Sequence, residues 1–301
     1  MKTQRPEFVR GKELINGDTV KNTMNRSEAV LLGITAIWGF TFPAMKVSLD
    51  YLPPMLFLAY RFGIASFLML ILFRSKVLRK ETFREGFLLG LTLFFGHGFQ
   101  IVGLKYTTAS NSAFITSLYV VFTPFIAYFL LGDRLRPRDA VSLVVALTGL
   151  YLISGASLSL NHGDLLTVLC ALSFAFQIVL VQRFGEKDYL SLAFWQITWN
   201  FVFSLAFALL FEPLVIPTDP LPWAGILYTS IFATVIAFTL QVKHQRNTSA
   251  HKAALIYSSE PIFGHVAAFL TIGEVLSVEG YIGALLIMAA IWNEVRHDHF
   301  S

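Results

Sequence analysis

Glu260 is the residue of this sequence whose type and position most strongly suggest chemistry. It lies about halfway along an apolar stretch, residues 250–272, and directly precedes Pro261. Ionisable side chains are costly within such stretches and are functional candidates by default, and the proline ring leaves a nearby backbone carbonyl free. The carboxylate could bind an amine or take up a proton. The alternative is an acid that pairs with a polar neighbour for packing.

Two tyrosines are predicted to share a site with Glu260. Tyr257 lies three residues earlier, on roughly the same face of a helix. Tyr119 occupies the equivalent position in the first half of the chain when the two halves are aligned at an offset of 141 residues. We therefore expect the three side chains to converge.

Uncharged polar side chains in other apolar stretches form a second group of candidates. Such side chains either hydrogen-bond a ligand or join helices to one another, and both roles are kept open for Gln100. His97 lies three residues before it and could carry protons, because histidine titrates near neutrality; a neutral, packed histidine is the alternative. Gln177 and Gln241 complete this group.

Aromatic residues are predicted to form the walls of the same site. Trp38 and Phe42 are four residues apart and should share one helical face, and Trp199 lies on a similar mixed face. Such walls suit a small amphipathic ligand, although aromatic contacts with lipid are the alternative in a chain with 29 phenylalanines. For Arg61, pairing or reaching the outer surface is favoured over contact with a ligand carboxylate.

The chain that carries these candidates is strongly apolar. Of its 301 residues 55% are hydrophobic and 14% are charged, with a mean hydropathy of +0.63, whereas soluble domains carry about 25% charged residues. This composition excludes disorder, fibres and most cytosolic enzymes, and it predicts an all-α membrane protein. The single cysteine, Cys170, excludes an intramolecular disulfide and a CxxC metal site. The net charge of +4 comes without a basic patch interleaved with aromatics, so no nucleic-acid partner is expected.

Ten apolar stretches are each predicted to form a transmembrane helix. Their expected bounds are 28–48, 55–73, 86–104, 109–131, 138–154, 164–183, 189–211, 222–243, 250–272 and 278–294. Pro43, Pro124 and Pro261 fall within stretches, where they should bend or open a helix beside a cavity or a packed interface. A simple kink is the alternative for each of them.

Basic residues are concentrated on one side of these ten stretches. Of the 23 Lys and Arg residues, all but Lys46, Lys105 and Arg61 belong to one side. The positive-inside rule then predicts a multi-pass protein of the plasma (inner) membrane with both termini in the cytosol. Residues 1–26 lack the features of a signal peptide and are predicted to be a flexible cytosolic tail, as are residues 296–301. Either Met1 or Met24 could be the native start.

The second half of the sequence repeats the first at the offset of 141 residues. The matches include paired polar residues and paired glycine–acid ends: Gln100 with Gln241, Thr107 with Thr248, Ser117 with Ser258, Gly132 with Gly273, and Asp133 with Glu274. The expected repeats are residues 28–154 and 160–295. Because five helices per repeat is an odd number, the second copy must be inverted. Inverted repeats around a site near the membrane midplane are typical of secondary transporters.

Several motifs follow one another in a fixed order over residues 28–295: Trp38-Gly39-Phe40-Thr41-Phe42, Arg61-Phe62, LKYTTASNSAFITSLYVVFTPFIAYFLLGDRL at 104–135, and its second copy at 247–276. In this order and spacing they resemble the drug/metabolite transporter superfamily, in its ten-helix form with two EamA-type repeats. The resemblance implies transport of small metabolites by alternating access, often export of amino acids or other polar or aromatic compounds. Asp133 departs from the family, which more often has glutamate there.

The repeat and the resemblance together predict a secondary active transporter rather than an enzyme. The expected activity is export of small metabolites, such as amino acids or amphipathic and aromatic compounds. An importer of a small polar metabolite on the same fold is the first alternative, and an intramembrane transferase is the second. The sequence contains no HExxH, GxSxG, Walker or dinucleotide motif, so no cofactor and no metal are expected. The predicted partners are a small-molecule substrate and the bilayer; proton coupling, and monomer against homodimer, stay open.

Overall fold

The computed structural model describes residues 24–154, 161–272, 275 and 277–297 of the 301-residue chain. Within these ranges the protein contains fourteen α-helices and no strand. Seven helices belong to the first half: α1 (Arg26–Gly39), α2 (Thr41–Ser48), α3 (Pro54–Phe73), α4 (Phe83–Tyr106), α5 (Ala109–Thr116), α6 (Tyr119–Leu131) and α7 (Pro137–Ser154). Seven belong to the second half: α8 (His162–Arg183), α9 (Tyr189–Phe211), α10 (Pro220–Ser230), α11 (Ala237–Gln245), α12 (Ala250–Tyr257), α13 (Glu260–Ile272) and α14 (Val278–His297).

Several neighbouring helices are parts of one longer helical segment. Phe40 alone separates α1 from α2, a π-helical turn at Ile231–Ile236 joins α10 to α11, and two residues each separate α5 from α6 and α12 from α13. Eight segments are long and apolar enough to cross a membrane: Arg26–Ser48, Pro54–Val77, Lys80–Tyr106, Ser112–Leu131, His162–Arg183, Tyr189–Phe211, Pro220–Gln245 and Val278–Val295. The described part of the chain is therefore that of an all-α membrane protein.

Proline accounts for two of the helix breaks. Pro43 lies in the first turn of α2 and Pro261 in the first turn of α13, each shortly after a break. A proline has no N–H, and its ring clashes with the carbonyl four residues earlier, so a regular helix cannot continue through it. Pro124 lies inside α6 instead, and the break in that segment precedes Tyr119.

The pair α5–α6 has the same dimensions as the pair α12–α13. Each pair consists of a helix of 8 residues followed by a helix of 13 residues, and every boundary differs by the offset of 141 residues seen in the sequence. Tyr119 and Glu260 accordingly open the second helix of each pair. The similarity of the two halves thus extends from side chains to the backbone.

The helices α1 and α8 also begin in the same way. In α1 the Asn25 side chain accepts a hydrogen bond from the backbone of Glu28, whose carboxylate accepts one from the backbone of Asn25. Asn161 and Asp164 form the same reciprocal pair at the start of α8. Each pair provides hydrogen-bond acceptors for two backbone N–H groups that have no acceptor within the helix itself. The cap at Asn161 also places Asp164 in the first turn of α8.

Two apolar cores hold the bundle together. The first lies where α3 and α4 pack against α9, and the second joins α1, α7, α8, α12 and α14. α4 packs against α8 as well as α9, so it connects the two halves of the chain. Buried polar side chains lie between the cores.

Two reciprocal glycines set the distance between α7 and α14. A Cβ atom on Gly149 would lie 2.6 Å from the Gly283 carbonyl oxygen, and one on Gly283 would lie 2.5 Å from that of Gly149. We expect Gly149→Ala to lower the free energy of unfolding by about 1–3 kcal/mol, because the two helices must separate. Gly33→Ala is the matched control, since a Cβ there meets nothing within 4 Å; it should be neutral or slightly stabilising. Chemical denaturation in detergent compares the two, and equal losses would contradict the prediction.

Some sequence predictions fall on residues outside the described ranges. The predicted N-terminal tail, 1–26, is described only from Met24, and Arg26 already belongs to α1. The predicted C-terminal tail, 296–301, is described only to His297, which ends α14. Gly273 and Glu274, the second members of the paired glycine–acid ends, also lie outside the described residues.

Candidate functional site

A cavity with about 510 Å³ of open space lies between the two halves of the chain. Side chains from α1, α2, α3, α4, α6, α8, α11, α12 and α13 line it, so both broken helix pairs reach it. The lining consists of aromatic, aliphatic, amide and charged side chains: Trp38, Thr41, Arg61, Leu93, His97, Gln100, Tyr119, Phe174, Gln177, Ile178, Phe238, Gln241, Tyr257 and Glu260.

Most of the residues singled out from the sequence meet in this cavity. Eight of the ten line it: Trp38, His97, Gln100, Tyr119, Gln177, Gln241, Tyr257 and Glu260. They come from seven different helices in both halves of the chain, so the fold brings together side chains that are far apart in sequence. Their role in binding a substrate stays a prediction.

Glu260 lies at the break between α12 and α13. Its side chain is buried and lines the cavity. The two residues of the break support it: the Ser258 hydroxyl donates to the Leu255 carbonyl at 2.7 Å, and the Ser259 hydroxyl donates to the Ile256 carbonyl at 2.7 Å. These bonds satisfy carbonyls near the end of α12, so the helix can stop inside the bundle.

The two tyrosines predicted beside Glu260 share its cavity but face different partners. The Tyr119 hydroxyl is buried beside the Glu260 carboxylate without reaching hydrogen-bond geometry. The Tyr257 hydroxyl instead donates to Gln245 Oε1 at 3.1 Å. Tyr119 therefore presents an unpartnered polar group to the cavity next to the acid, whereas the Tyr257 hydroxyl is already engaged.

Aromatic rings form one wall of the cavity around Trp38 and His97. The Trp38 ring lies 5.4 Å from the Tyr257 ring and 5.6 Å from the Phe238 ring, and its indole N–H donates to the Ala233 carbonyl at 3.0 Å. His97 lies 5.0 Å from the Phe174 ring. Its Nδ1 lies 2.9 Å from the Leu93 carbonyl oxygen, which can only accept, so Nδ1 carries a proton. The rings offer flat apolar surfaces with polar points at their edges.

A chain of amide side chains runs from the cavity into the protein. Gln177 and Gln241 exchange two hydrogen bonds of 3.2 Å, and Gln241 also donates to Gln245 Oε1 at 3.2 Å. Gln245 in turn donates to the Ile178 carbonyl at 2.6 Å and accepts from Tyr257. This network links α8, α11 and α12. The sequence analysis did not select Gln245, although its spacing of four from Gln241 places the two on one helical face.

Gln100 has a weaker connection of its own. Its side-chain N–H donates to Thr116 Oγ1 at 3.4 Å, near the end of α5. The amide thus joins α4 to the first broken pair, and both the ligand-binding and the helix-joining roles predicted for it are compatible with its place in the wall.

Arg61 does not reach the outer surface, which was one of the two positions favoured for it. It was expected to pair or to reach the outer surface, but its side chain is 2% exposed and lines the cavity. Its Nε donates to Thr234 Oγ1 at 2.9 Å, and the guanidinium carbon lies 5.1 Å from the centre of the Phe62 ring. Among the described residues no carboxylate forms an ion pair with it. The sequence feature that indicated this burial was the position of Arg61, about two turns inside the apolar stretch.

Phe42 and Trp199 are the two predicted site residues that do not line the cavity. Phe42 is buried in the first apolar core. The spacing of four from Trp38 would apply along one continuous helix, but the break at Phe40 puts the two residues in different helices, and Thr41 lines the cavity instead. Trp199 packs against α4, where its ring lies 5.3 Å from Phe83.

The GxxxG motif at Gly86 and Gly90 makes room for this packing. A Cβ atom on Gly86 would clash with Trp195, and one on Gly90 would clash with Trp199. The motif is therefore a close contact between α4 and α9, and Trp199, which was a candidate for substrate binding, is used in packing.

The cavity has the chemical features needed to hold a small molecule with two opposite charges. Among the described residues that line the cavity, apart from His97, Glu260 is the acid and Arg61 is the base. An ammonium group suits the carboxylate, and a carboxylate suits the planar guanidinium. The aromatic wall offers a surface for an apolar substituent.

Comparison with known proteins gives consistent matches over nearly the whole chain. The sequence pattern of the EamA-like transporter family matches residues 26–155 and again residues 161–293. An "uncharacterized transporter" of Archaeoglobus fulgidus is 37% identical over 86% of this chain and 82% of its own length. A "probable amino-acid metabolite efflux pump" of Salmonella typhimurium is 26% identical over 90% of this chain and 96% of its own. One protein crystal structure shares the fold, with a TM-score of 0.73 and 23% identity over 92% of this chain and 100% of that one.

Proposed function

Because the chain belongs to the EamA-like transporter family, we propose that it is a secondary active transporter that exports small zwitterionic metabolites, amino acids among them. Amphipathic and aromatic amino acids fit the aromatic wall best. Export rather than import is supported by a relative named as an efflux pump. We propose no catalytic activity for this protein. The working unit is either a monomer or a homodimer in the plasma membrane.

The observation that carries this proposal is the pair of opposite charges in one cavity. Arg61 and Glu260 both line it, each is buried, and no ion pair joins them within the described structure. Two buried charges that each lack an opposite charge in ion-pair contact are costly. A zwitterion that brings its ammonium to Glu260 and its carboxylate to Arg61 would supply a partner for each, so the cavity favours amino acids over singly charged compounds.

We further propose that the chain forms ten transmembrane helices in two inverted repeats, residues 28–154 and 160–295. The double match of the family pattern supports two repeats. The equal helix pairs α5–α6 and α12–α13 and the equal caps of α1 and α8 support the same division. The odd number of helices in each repeat, together with the basic residues on one side, supports inversion with both termini in the cytosol.

Alternating access follows from this architecture. Broken helices of opposite repeats meet at the site, as in other transporters built from inverted repeats. Substrate would enter from the cytosol and contact Glu260, Tyr119 and Arg61, and the repeats would then rock to expose it outside. Glu260 is also the group that would take up a proton if transport is coupled to a proton gradient.

Reconstitution of the purified protein in liposomes tests the proposal directly. Vesicles loaded with a mixture of amino acids and other small metabolites should lose a zwitterionic subset, and vesicles with Glu260→Gln should retain it. Glu81→Gln, at an exposed position, is the matched control and should behave as the wild type. Running each assay with and without a pH gradient tests proton coupling.

Two outcomes would contradict the proposal. Loss of metabolites that is unchanged in the Glu260→Gln protein would remove Glu260 from the mechanism. Absence of any loss from folded wild-type protein, inserted in both orientations, would argue against transport of these compounds.

A further inference from the structure

A second group of ionisable side chains lies away from the central cavity, at the end of the bundle where α7 and α12 begin and α14 ends. Asp139, His251 and Glu294 come from these three helices, and one ligand atom of each lies within 4.8 Å of the others. They share a cavity with about 240 Å³ of open space, whose remaining lining is apolar: Val120, Pro124, Leu135, Leu143 and Leu255.

The two carboxylates of this group are buried and have few cationic neighbours within the described structure. Asp139 and Glu294 are each 5% exposed, and His251 Nε2 lies 3.7 Å from the first and 3.4 Å from the second. The only other cation in ion-pair contact among the described residues is Arg138, whose Nε lies 3.6 Å from Asp139 Oδ1. The two buried carboxylates thus share one imidazole and one partly exposed guanidinium. A buried negative charge of this kind is costly unless a cation binds.

The spacing of the ligand atoms suits a small divalent cation. An ion that binds nitrogen and oxygen at about 2.0–2.1 Å in tetrahedral geometry holds its ligand atoms about 3.3–3.4 Å apart. The distance of 3.4 Å between His251 and Glu294 meets this requirement, and the distance of 3.7 Å to Asp139 is slightly longer. The two carboxylates lie within 4.8 Å of each other, and they would move together on binding the ion. Two carboxylates and one imidazole are a ligand set that Zn²⁺ accepts.

We propose that Asp139, His251 and Glu294 form a binding site for a divalent cation of the Zn²⁺ type. The Ser249 hydroxyl lies 3.2 Å from His251 Nε2, so Ser249 or a water would complete the coordination. The backbone N–H of Arg136 donates to Asp139 Oδ2 at 2.8 Å and orients that carboxylate, as outer partners of metal ligands do.

A bound cation would connect α7, α12 and α14. α12 carries His251 near its start and Tyr257 at its end, and Glu260 follows directly. The cation would therefore hold the helix that leads into the central cavity against α7 and α14. The proposal concerns this binding site alone and does not depend on which substrate the transporter carries.

Calorimetric titration with ZnCl₂ tests the site on the full chain, purified in detergent without an affinity tag and stripped with a chelator. We expect one equivalent of Zn²⁺ to bind, and His251→Ala and Glu294→Gln each to weaken binding about tenfold or more. Arg138→Ala should tighten it about two- to fivefold, because a competing cation of modest strength is removed. Co²⁺ titration adds a visible absorption spectrum that should change in the His251→Ala protein.

Other histidines provide the controls. His244→Ala, on α11, should leave Zn²⁺ affinity unchanged, as should joint replacement of His297 and His299 at the C-terminus. Gel filtration and melting temperature establish that each variant is folded. Folded wild-type protein that binds no stoichiometric Zn²⁺ would overturn the proposal. So would binding that survives His251→Ala and is lost on replacing the two C-terminal histidines.

Discussion

Replacing Arg61 with glutamine is expected to reduce transport of an amino acid by about 30-fold or more. Arg61 is 2% exposed, lines the central cavity and has no carboxylate in ion-pair contact among the described residues. A substrate carboxylate would be its charge partner, and truncating one member of a buried charge pair costs about 2–5 kcal/mol. Since about 1.4 kcal/mol corresponds to a factor of ten, the lower limit is about 30-fold. Initial rates of efflux from proteoliposomes measure the effect.

Substrate analogues separate recognition from structural damage. An amine that lacks the carboxylate of the amino acid should be transported by the Arg61→Gln protein about as well as by the wild type. Glu260→Gln should reduce transport of the amine and of the amino acid alike. This asymmetry is specific to a site in which each charge binds its own end of the substrate.

Control variants make this result interpretable. Arg183→Gln, at an exposed position on α8, should transport both compounds normally. Arg61→Lys keeps the charge but loses the planar fork, so it should recover part of the amino-acid transport. If Arg61→Gln reduced transport of both compounds equally in folded protein, Arg61 would be acting on gating or stability and not on the carboxylate.

The second large effect is expected at a buried ion pair between Glu28 and Lys252. The two residues are each 1% exposed, and their side chains form a salt bridge between α1 and α12. Glu28→Gln or Lys252→Met should each cost about 3–5 kcal/mol of unfolding free energy, because each removes one member of a buried ion pair. The double variant should lose clearly less than the sum of the two single variants. Denaturation of all four proteins in detergent gives the coupling energy.

The partly exposed pair of Lys187 and Glu85 is the matched control. Its charged atoms lie 3.2 Å apart, and the side chains are 42% and 21% exposed. The same double-variant cycle should give about 0–1 kcal/mol there, because water screens the charges. A coupling energy for Glu28 and Lys252 no larger than this control would contradict a structural role for the buried pair.

Features that depend on neighbouring residues along the chain were predictable. The apolar stretches follow from composition and length, and all ten correspond to helices in the described part of the protein. Pro43 and Pro261 mark helix breaks because proline acts on its own backbone and the turn before it. Glu260 stood out because a lone acid in an apolar stretch is costly wherever the stretch packs.

The features that were missed depend on how separate helices are rotated and packed. Arg61 was expected to pair or to reach the outer surface, yet the side of α3 that carries it faces the cavity, where Thr234 of the second half accepts its hydrogen bond. Phe42 lost its predicted place because the break at Phe40 ends the regular spacing from Trp38. The sequence placed Lys252 with the basic residues on one side of the membrane. In the fold, however, Lys252 is buried against Glu28.

The sequence alone thus specified where helices form, where they break and which polar residues are costly to bury. Only the tertiary structure decided which of those residues meet in one cavity, since that depends on contacts between segments up to about 200 residues apart, such as Trp38 and the Ala233 carbonyl. Spacing along one helix fixes the face a side chain occupies. It carries no information on which other helix that face will contact, because packing between helices is a property of the assembled bundle.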